Sequence, residues 1–269
     1  MNLLLTAHGT RRASGVAMIG DLAAEVGALV GHAVQVAFVD VLGPSPSEVL
    51  SNLSSQSGSR AATDAVVVVP AFLSRGYHVR SDLPAHILAS GHPNVTVTPA
   101  LGPGPEITGI VFQRLVESGW CPGDSVVLAA AGTSDRTARA DLHTTRALLS
   151  ELTGSPVYLG YAATGDPDVR TAVRMAREQA RASTSRARSH RVVVASYLLA
   201  DGLFQQRLRT CGADVATQPL GTHPGLARLI AGRFRSVMPC QSVDQRLQRP
   251  PNGVERNALT VSRAEGYDA

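Results

Sequence analysis

The chain has 269 residues, of which 44% are hydrophobic and 4% aromatic, and its formal net charge is +4. These values are typical of a globular protein and exclude a disordered chain. The length suits one large core or two smaller ones, and we expect two compact halves. No apolar run approaches the roughly 20 residues that span a bilayer, and residues 3–7 are too short for a signal peptide. We therefore expect a cytoplasmic protein without membrane contact.

The basic residues of this chain are all arginine, because lysine is absent. Arginine forms bidentate pairs with carboxylates and phosphates, so a polyanionic small molecule is a suitable partner. The arginines are scattered and are not interleaved with aromatic residues, which argues against nucleic-acid binding. The three cysteines are far apart and odd in number. They predict neither a disulfide framework nor a CxxC metal or redox motif.

Short aliphatic runs alternate with helical segments along the first part of the chain. Continuous apolar runs predict strands that are buried on both faces at 3–7, 34–39, 65–69 and 95–98. The segments between and after them predict helices near 12–30, 47–56, 81–89 and 105–117. Strands that alternate with crossover helices form a parallel sheet with helices on both faces, so the fold class is α/β.

The same pattern of residues occurs twice, which indicates an internal duplication. Ordered matches at offsets of 123, 126 and 119 residues pair Gly9 with Gly132, Pro44 with Pro167, Gly76 with Gly202 and Pro105 with Pro224. We expect two halves related by this duplication, 1–119 and 120–235, with a cleft between them. Residues 236–269 are rich in Pro, Gln, Asn, Ser and Arg without periodicity, and they predict a disordered tail.

Three side chains that can bind a cation follow successive strands of the first half: His8, Asp40 and His78. Because the carboxyl ends of parallel strands open onto one crevice, we expect these side chains to lie close together. Two imidazoles and a carboxylate suit a borderline divalent ion such as Fe²⁺ or Co²⁺, with positions left open for substrate. Each residue taken alone has another explanation: a polar strand end, a turn cap, or an apolar-to-polar transition.

The duplication discriminates between these explanations. At the corresponding positions of the second half, the three residues become Ala131, Ala163 and Phe204, whereas the shared glycines and prolines persist. Polar groups that served the fold should be needed in both copies. Their joint loss from one copy therefore favours a single site in the first half.

Three segments carry a resemblance to a known family. Residues 4–11, LLTAHGTR, resemble the opening motif of the CbiX and SirB class II chelatases, usually a strand ending in His-Gly-Ser-Arg. Residues 36–40, VAFVD, are similar to their second-strand motif, which normally ends in Glu. Residues 70–84, PAFLSRGYHVRSDLP, resemble their Pro-x-Phe-Leu…Gly-x-His-Val…Asp-Ile-Pro segment. The resemblance covers residues 1 to about 235, and its third motif is the most specific.

The resemblance implies two flavodoxin-like halves around a cleft and a chelatase that inserts a divalent metal ion, Fe²⁺ favoured, into sirohydrochlorin, as in sirohaem synthesis. His8 and His78 would hold the ion, and Asp40 would offset its charge or accept a proton. The metal is then a substrate, and no prosthetic group is expected. The groups expected to bind the carboxylates of the anionic tetrapyrrole belong to Gly9, Thr10, Arg11, Arg12, Arg75 and Arg80.

Several alternatives stay open at this stage. Asp40 is one methylene shorter than the Glu of the family motif, so its direct contact with the metal is undecided. The same ligands suit Co²⁺, as in a cobaltochelatase of cobalamin synthesis, although the chain has no His-rich extension. A non-catalytic metal chaperone or tetrapyrrole carrier could use the same cleft. A histidine phosphatase is disfavoured because Ala7 occupies the position of the phosphate-binding arginine.

The remaining histidines are not expected to bind the metal ion. His223 lies on a loop that could face the cleft, but a helix-capping role is preferred. The others are expected to be dispersed surface or packing residues; they are His32, His86, His92, His143 and His190. The working expectation for the oligomeric state is a monomer.

Overall fold

The protein is described by a computed structural model that covers residues 1–55, 64–182 and 191–238. These residues form two four-stranded parallel sheets with helices packed on them. The expected tail, 236–269, lies outside the described residues except for its first three.

The first sheet is built from the predicted alternation of strands and helices. Its strand order is β2-β1-β3-β4, with all neighbours parallel. A π-helical turn, His78–Asp82, precedes α3. The elements in chain order are β1 (Asn2–Ala7), α1 (Ala13–Val30), β2 (Val34–Phe38), α2 (Pro46–Ser55), β3 (Val66–Pro70), α3 (Leu83–Ser90), β4 (Val95–Val97) and α4 (Pro105–Glu117).

The second sheet repeats this arrangement. Its strand order is β6-β5-β7-β8, again with parallel neighbours. A short 3₁₀ turn, Leu220–Thr222, precedes the last helix. The elements are β5 (Ser125–Gly132), α5 (Arg136–Thr153), β6 (Val157–Thr164), α6 (Val169–Ala182), β7 (Val192–Tyr197), α7 (Leu203–Arg209), β8 (Val215–Ala216) and α8 (Pro224–Arg235).

Strand register confirms the internal duplication. The offsets of 123, 126 and 119 residues found in the sequence recur between paired strands of the two sheets. The equivalent neighbours are Leu3–Val34 and Val126–Val157, Leu3–Val67 and Val126–Val193, and Val67–Thr96 and Val193–Val215. Both halves therefore have the same topology, and their strands pair in the same register up to Ala130.

The central strands of the first sheet are buried, but its edge strands are not. β1 and β3 are buried along almost their whole length, as expected for parallel strands covered by helices. The prediction that residues 34–39 and 95–98 are buried on both faces was wrong, because Gln35, Thr96 and Val97 are exposed. β4 is an edge strand that pairs only with β3 among the described strands, which leaves part of its apolar run facing solvent.

Helix α1 is long and apolar enough to cross a membrane when judged by length and composition alone. The expectation that no segment approaches this limit was therefore too strict. The helix packs as a crossover helix, with Ile19, Leu22 and Val26 buried in the core. Its exposed face is mostly alanine and glycine together with Asp21 and Glu25. Two carboxylates in the middle of the helix suit a solvated face.

The last helix of each half packs against the sheet of the other half. Helix α4 contacts α5 and β7, whereas α8 contacts α1 and β3. Their buried side chains belong to one hydrophobic core that includes both sheets: Ile107, Val111 and Leu115 from α4, and Leu226, Ile230 and Phe234 from α8. Residues Met1–Met238 accordingly form one compact unit. The predicted boundary at 119/120 separates the two sheets, and the packing of these helices crosses it.

Candidate metal centre

The three candidate ligands converge at the carboxyl end of the first sheet. His8 follows β1 directly, Asp40 follows β2, and His78 opens the π-helical turn after β3. One donor atom from each lies within 4.8 Å of the other two. The imidazole rings of His8 and His78 have centroids 5.2 Å apart and planes inclined by 45°. The convergence expected from the topology is therefore observed, and the spacing suits a single bound cation.

Each histidine has its Nδ1 atom next to a carboxylate. His8 Nδ1 lies 2.5 Å from Asp40 Oδ1, and His78 Nδ1 lies 2.8 Å from Oδ2 of Asp82. A metal-binding imidazole ordinarily donates its second ring N–H to such a partner, which fixes the tautomer and the ring orientation. With Nδ1 engaged in both rings, the Nε2 atoms are the nitrogens available to a metal ion.

Backbone geometry next to Asp40 requires glycine at position 9. A Cβ atom on Gly9 would lie 2.2 Å from the carbonyl oxygen of Asp40. The equivalent Gly132 has φ 107°, and its Cβ would lie 2.0 Å from the carbonyl oxygen of Thr164. Both glycines are therefore needed for the fold, since no side chain fits these contacts.

The register in the second half corrects one equivalence drawn from sequence. Strand pairing shifts between Ala130 and Gly132, so Gly132 pairs with Thr164. The residue that approaches the glycine as Asp40 does is therefore Thr164, whereas the expected counterpart was Ala163. Neither Ala163 nor Thr164 is acidic, so the second half has no counterpart of the Asp40 carboxylate with either alignment.

The turn after Asp40 has an unusual backbone. Val41 has φ 65°, and the Leu42 N–H donates to the Asp40 carbonyl oxygen at 2.7 Å, which closes a γ-turn. Among the described residues it is the one non-glycine residue with positive φ. A β-branched residue in this conformation is strained, and such strain persists where surrounding contacts determine it. The turn fixes the backbone that carries the Asp40 carboxylate.

A cavity of about 290 Å³ lies beside the candidate metal ligands and between the halves. His8, Gly9 and Thr10 contribute to one side of it, and Ala131 and Phe204 contribute to the other. The last two stand where the duplication would otherwise place His8 and His78. Most of the remaining lining is apolar; it includes Ala71, Phe72, Leu73, Leu142, Leu198, Leu199 and Leu203. The cleft therefore joins a polar edge, next to the candidate ligands, to an apolar wall.

Two of the four expected substrate-binding arginines are paired with carboxylates of the second half. The Arg75 guanidinium lies 2.6 Å from Asp141 Oδ1, and this hydrogen bond and charge raise the pKa of Arg75. The Arg80 guanidinium lies 2.5 Å from Asp135 Oδ2. The Asp135 carboxylate accepts a hydrogen bond from the Ala138 N–H, which together with Arg80 lowers the pKa of Asp135.

The other two arginines lie at the start of α1. Arg11 is exposed, and the Arg12 guanidinium donates to Gln206 Oε1 at 2.6 Å. The backbone at Gly9 and Thr10 was expected to bind an anion at a helix N-terminus, and the structure does not place it at one. The Gly9 N–H donates to Asp40 Oδ1 at 3.2 Å, and α1 begins only at Ala13, so neither residue lies in its first turn.

Two further histidines have definite contacts. His86 was expected to be a dispersed surface or packing residue, but its Nε2 atom lies 3.7 Å from Oδ1 of Asp82, the residue that contacts His78. The four-residue spacing of these residues along the chain could have identified this contact. The capping role preferred for His223 is confirmed, because its Nδ1 accepts the Gly225 N–H at the start of α8. Its burial lowers the pKa of His223.

The duplicated parallel sheets, the cleft between them and the site on one sheet are the features of a chelatase-type α/β protein. The family model CbiX matches residues 2–118 and again residues 125–237. The chain therefore belongs to the CbiX family, and the resemblance noted in the sequence is confirmed.

Individual relatives agree with this assignment. The chain is 27% identical over 135 residues to the sirohydrochlorin cobaltochelatase of Methanothermobacter thermautotrophicus, a match that covers 43% of this chain and 90% of that protein. SirB from Bacillus subtilis, solved with Fe³⁺, superposes with a TM-score of 0.69 at 18% identity, covering 88% of this chain and 95% of that one. The sirohydrochlorin chelatase SirB from Bacillus subtilis subspecies spizizenii, solved with cobalt, gives 0.65 at 19% identity with the same coverage. The two structural likenesses show a shared fold.

Proposed function

We propose that this protein inserts a divalent metal ion, with Fe²⁺ favoured, into sirohydrochlorin. The observation that carries the proposal is the convergence of His8, Asp40 and His78 beside an apolar cleft, within 4.8 Å of one another. Membership of the CbiX family supports the same reaction class. The ion is a substrate of the reaction, and it passes from the protein to the macrocycle.

The chemistry of insertion assigns a role to each residue. His8 and His78 bind the incoming ion through Nε2 and replace part of its hydration shell. Two pyrrole N–H protons must leave as the metal–nitrogen bonds form, so the reaction releases two protons for each divalent ion. The Asp40 carboxylate, 2.5 Å from His8, offsets the charge of the ion or accepts one of these protons.

The cleft suits the two kinds of surface on the macrocycle. Its conjugated ring is apolar and would pack against the wall that includes Ala131 and Phe204. Its carboxylates would reach the mouth of the cleft, where Arg11 is exposed and Arg12 and Arg80 are largely exposed as well. Arg75 has a buried carboxylate as its partner, so we assign it to holding the two halves together.

The donor set does not choose between iron and cobalt, because both ions suit imidazole and carboxylate ligands. A cobaltochelatase that acts in cobalamin synthesis is therefore the second candidate, and the name of the Methanothermobacter relative favours it. A monomeric, cytoplasmic protein is the proposed state for either reaction.

An insertion assay tests the proposal directly. Purified protein is mixed anaerobically with sirohydrochlorin and either Fe²⁺ or Co²⁺, and the loss of the metal-free absorption spectrum is followed. Multiple turnovers above the uncatalysed rate are expected with at least one ion, and the ratio of kcat/KM values identifies the preferred metal. A single stoichiometric binding event without turnover would instead identify a tetrapyrrole carrier, and no dependence on the protein would reject both.

A further inference from the structure

Asp82 contacts the metal-binding His78 across one turn of the helix that carries both. The π-helical turn His78–Asp82 is closed by the Leu83 N–H, which donates to the carbonyl oxygen of His78. This turn brings Oδ2 of Asp82 to 2.8 Å from His78 Nδ1. The two side chains are 23% and 34% exposed, respectively, so solvent weakens this contact less than it would on an open surface.

The Asp82 carboxylate has a second partner on its other oxygen. Nε2 of His86 lies 3.7 Å from Asp82 Oδ1, and Nδ1 of His86 lies 3.1 Å from the hydroxyl oxygen of Ser47 at the start of α2. The His86 side chain is 23% exposed. A chain of side chains thus runs from His78 through Asp82 and His86 to a neighbouring helix. The Asp82 carboxylate therefore has a partner near each of its two oxygens.

The second half offers an internal comparison. The offset that places His78 on Phe204 places Asp82 on Leu208, which is 1% exposed and packs in the hydrophobic core. The helix in that half forms with a leucine at this position, so the fold does not demand a carboxylate there. The carboxylate of Asp82 is thus present in the half that has His78, and the half with Phe204 instead has Leu208 at the equivalent position.

We propose that Asp82 is a positioning residue for metal binding: it accepts the Nδ1–H of His78 and so presents the Nε2 lone pair of that ring to the ion. The inference rests on the proposed function, because it assigns His78 to the metal. A neutral imidazole carries its proton on either nitrogen, and only the tautomer with Nδ1–H leaves Nε2 free. The Asp82 carboxylate selects that tautomer.

The test measures metal affinity in the full-length protein without sirohydrochlorin. Co²⁺ is titrated into wild type, Asp82→Ala and Asp82→Asn, and binding is followed through the cobalt absorption bands. We expect Asp82→Ala to raise the Kd for Co²⁺ by about 10- to 100-fold, as for other outer partners of metal ligands. Asp82→Asn retains an oxygen acceptor without the charge, so it should recover part of the loss.

A second readout separates positioning from general support of the fold. Nitrogen-15 spectra of the histidine side chains report the tautomer of His78, which should carry Nδ1–H in wild type and shift toward Nε2–H in Asp82→Ala. Sirohydrochlorin affinity should change less than about twofold, since Asp82 is not a proposed macrocycle contact. Glu178→Ala removes the carboxylate of an exposed i,i+4 pair on α6 and serves as the matched control. It should leave all readouts at wild-type values.

The outcomes divide clearly. Wild-type Co²⁺ affinity in Asp82→Ala, or an unchanged His78 tautomer, would overturn the inference. Equal losses in the Ala and Asn variants, accompanied by equal losses of thermal stability, would assign Asp82 a purely structural role. If Asp82→Ala does not fold, the near-isosteric Asn variant gives the same comparison with wild type. Tight Co²⁺ binding that depends on Asp82, in a protein that inserts no metal into sirohydrochlorin, would reject the proposed function alone.

Discussion

Arg75, which lies three residues before His78 in the first half, forms a bidentate ion pair with Asp141 of the second half. Asp141 is 1% exposed and accepts hydrogen bonds from both the backbone N–H and the guanidinium of Arg75. Beside this pair, the Tyr197 hydroxyl donates to the carbonyl oxygen of Leu73 at 2.8 Å. The segment that leads from β3 to His78 is therefore held against α5 and β7 of the second half. Contacts from the second half thus help to position His78, which belongs to the first half.

Substitution of Arg75 tests this connection. Arg75→Ala leaves the buried Asp141 carboxylate without its charged partner, and we expect the free energy of unfolding to fall by about 1–3 kcal/mol. Urea denaturation measures this change. Arg174→Ala, which removes an exposed i,i+4 pair on α6, is the control and should have little effect. Equal stability of Arg75→Ala and wild type would show that the pair does not hold the halves together.

The shared-metal hypothesis predicts non-additive losses at the two histidines. His8→Ala and His78→Ala should each lower the insertion rate by roughly 100-fold or more, because each removes a group that acts on the reacting ion. The double variant should be hardly slower than either single one, since residues that act as a unit are non-additive. Insertion rates and circular dichroism of the three variants make the comparison. Multiplicative losses, or near wild-type rates, would place the metal elsewhere.

The second half, which lacks the three candidate ligands, provides a control within the same chain. Ala131 and Ala163 stand at the sequence positions equivalent to His8 and Asp40, so Ala131→Ser and Ala163→Ser should change the insertion rate by less than about threefold. His8→Ala in the same assay supplies the contrast. Comparable losses in all three variants would mean that both halves take part in the chemistry.

The strand positions and the convergence of His8, Asp40 and His78 could be predicted from the sequence because both follow from local pattern and topology. Runs such as Val66–Pro70 are continuous and apolar, and parallel strands must end at one edge. The packing of α4 on the second sheet and of α8 on the first could not be predicted in this way. An apolar helix face shows that a helix is covered, but it does not show which of two duplicated sheets covers it.

Side-chain partners were the other feature that sequence left undetermined. Arg75 and Arg80 were assigned to substrate because of their charge. The structure shows that each also pairs with a carboxylate more than 50 residues away along the chain, Asp141 and Asp135 respectively. Contacts between distant residues need coordinates. The pairing of His78 with Asp82 is local, but the helix predicted near 81–89 left His78 outside it, so this contact also needed coordinates.

Charge at the mouth of the cleft should govern substrate affinity. Arg11→Ala is expected to raise the KM for sirohydrochlorin by about three- to tenfold at low salt and to leave kcat nearly unchanged, because the guanidinium would bind peripheral carboxylates and not the reacting nitrogens. The effect should shrink at high ionic strength, where exposed charges are screened. Arg174→Ala again serves as the control. A fall in kcat at constant KM would place Arg11 at the reacting centre.

The buried His223 should make the stability of the protein depend on pH. Burial, together with the positive charges of Arg114 and Arg228, lowers the pKa of His223, while Glu117 opposes the shift. A histidine whose folded pKa lies below its unfolded value, about 6.5, takes up its proton more readily when unfolded. The contribution of neutral His223 to the free energy of unfolding is therefore fully present above about pH 6.5. It is lost as the pH falls from there toward the folded pKa of His223.

The comparison of wild type with His223→Asn isolates this contribution. Asparagine keeps an acceptor for the Gly225 N–H at the start of α8 but does not titrate. Unfolding free energies from urea denaturation at pH 8 and pH 5 should fall more in wild type than in the variant. The carboxylates titrate in both proteins, so their contribution cancels in the difference. An equal fall in the two proteins, or a larger fall in His223→Asn, would show that His223 is not the source of the pH dependence.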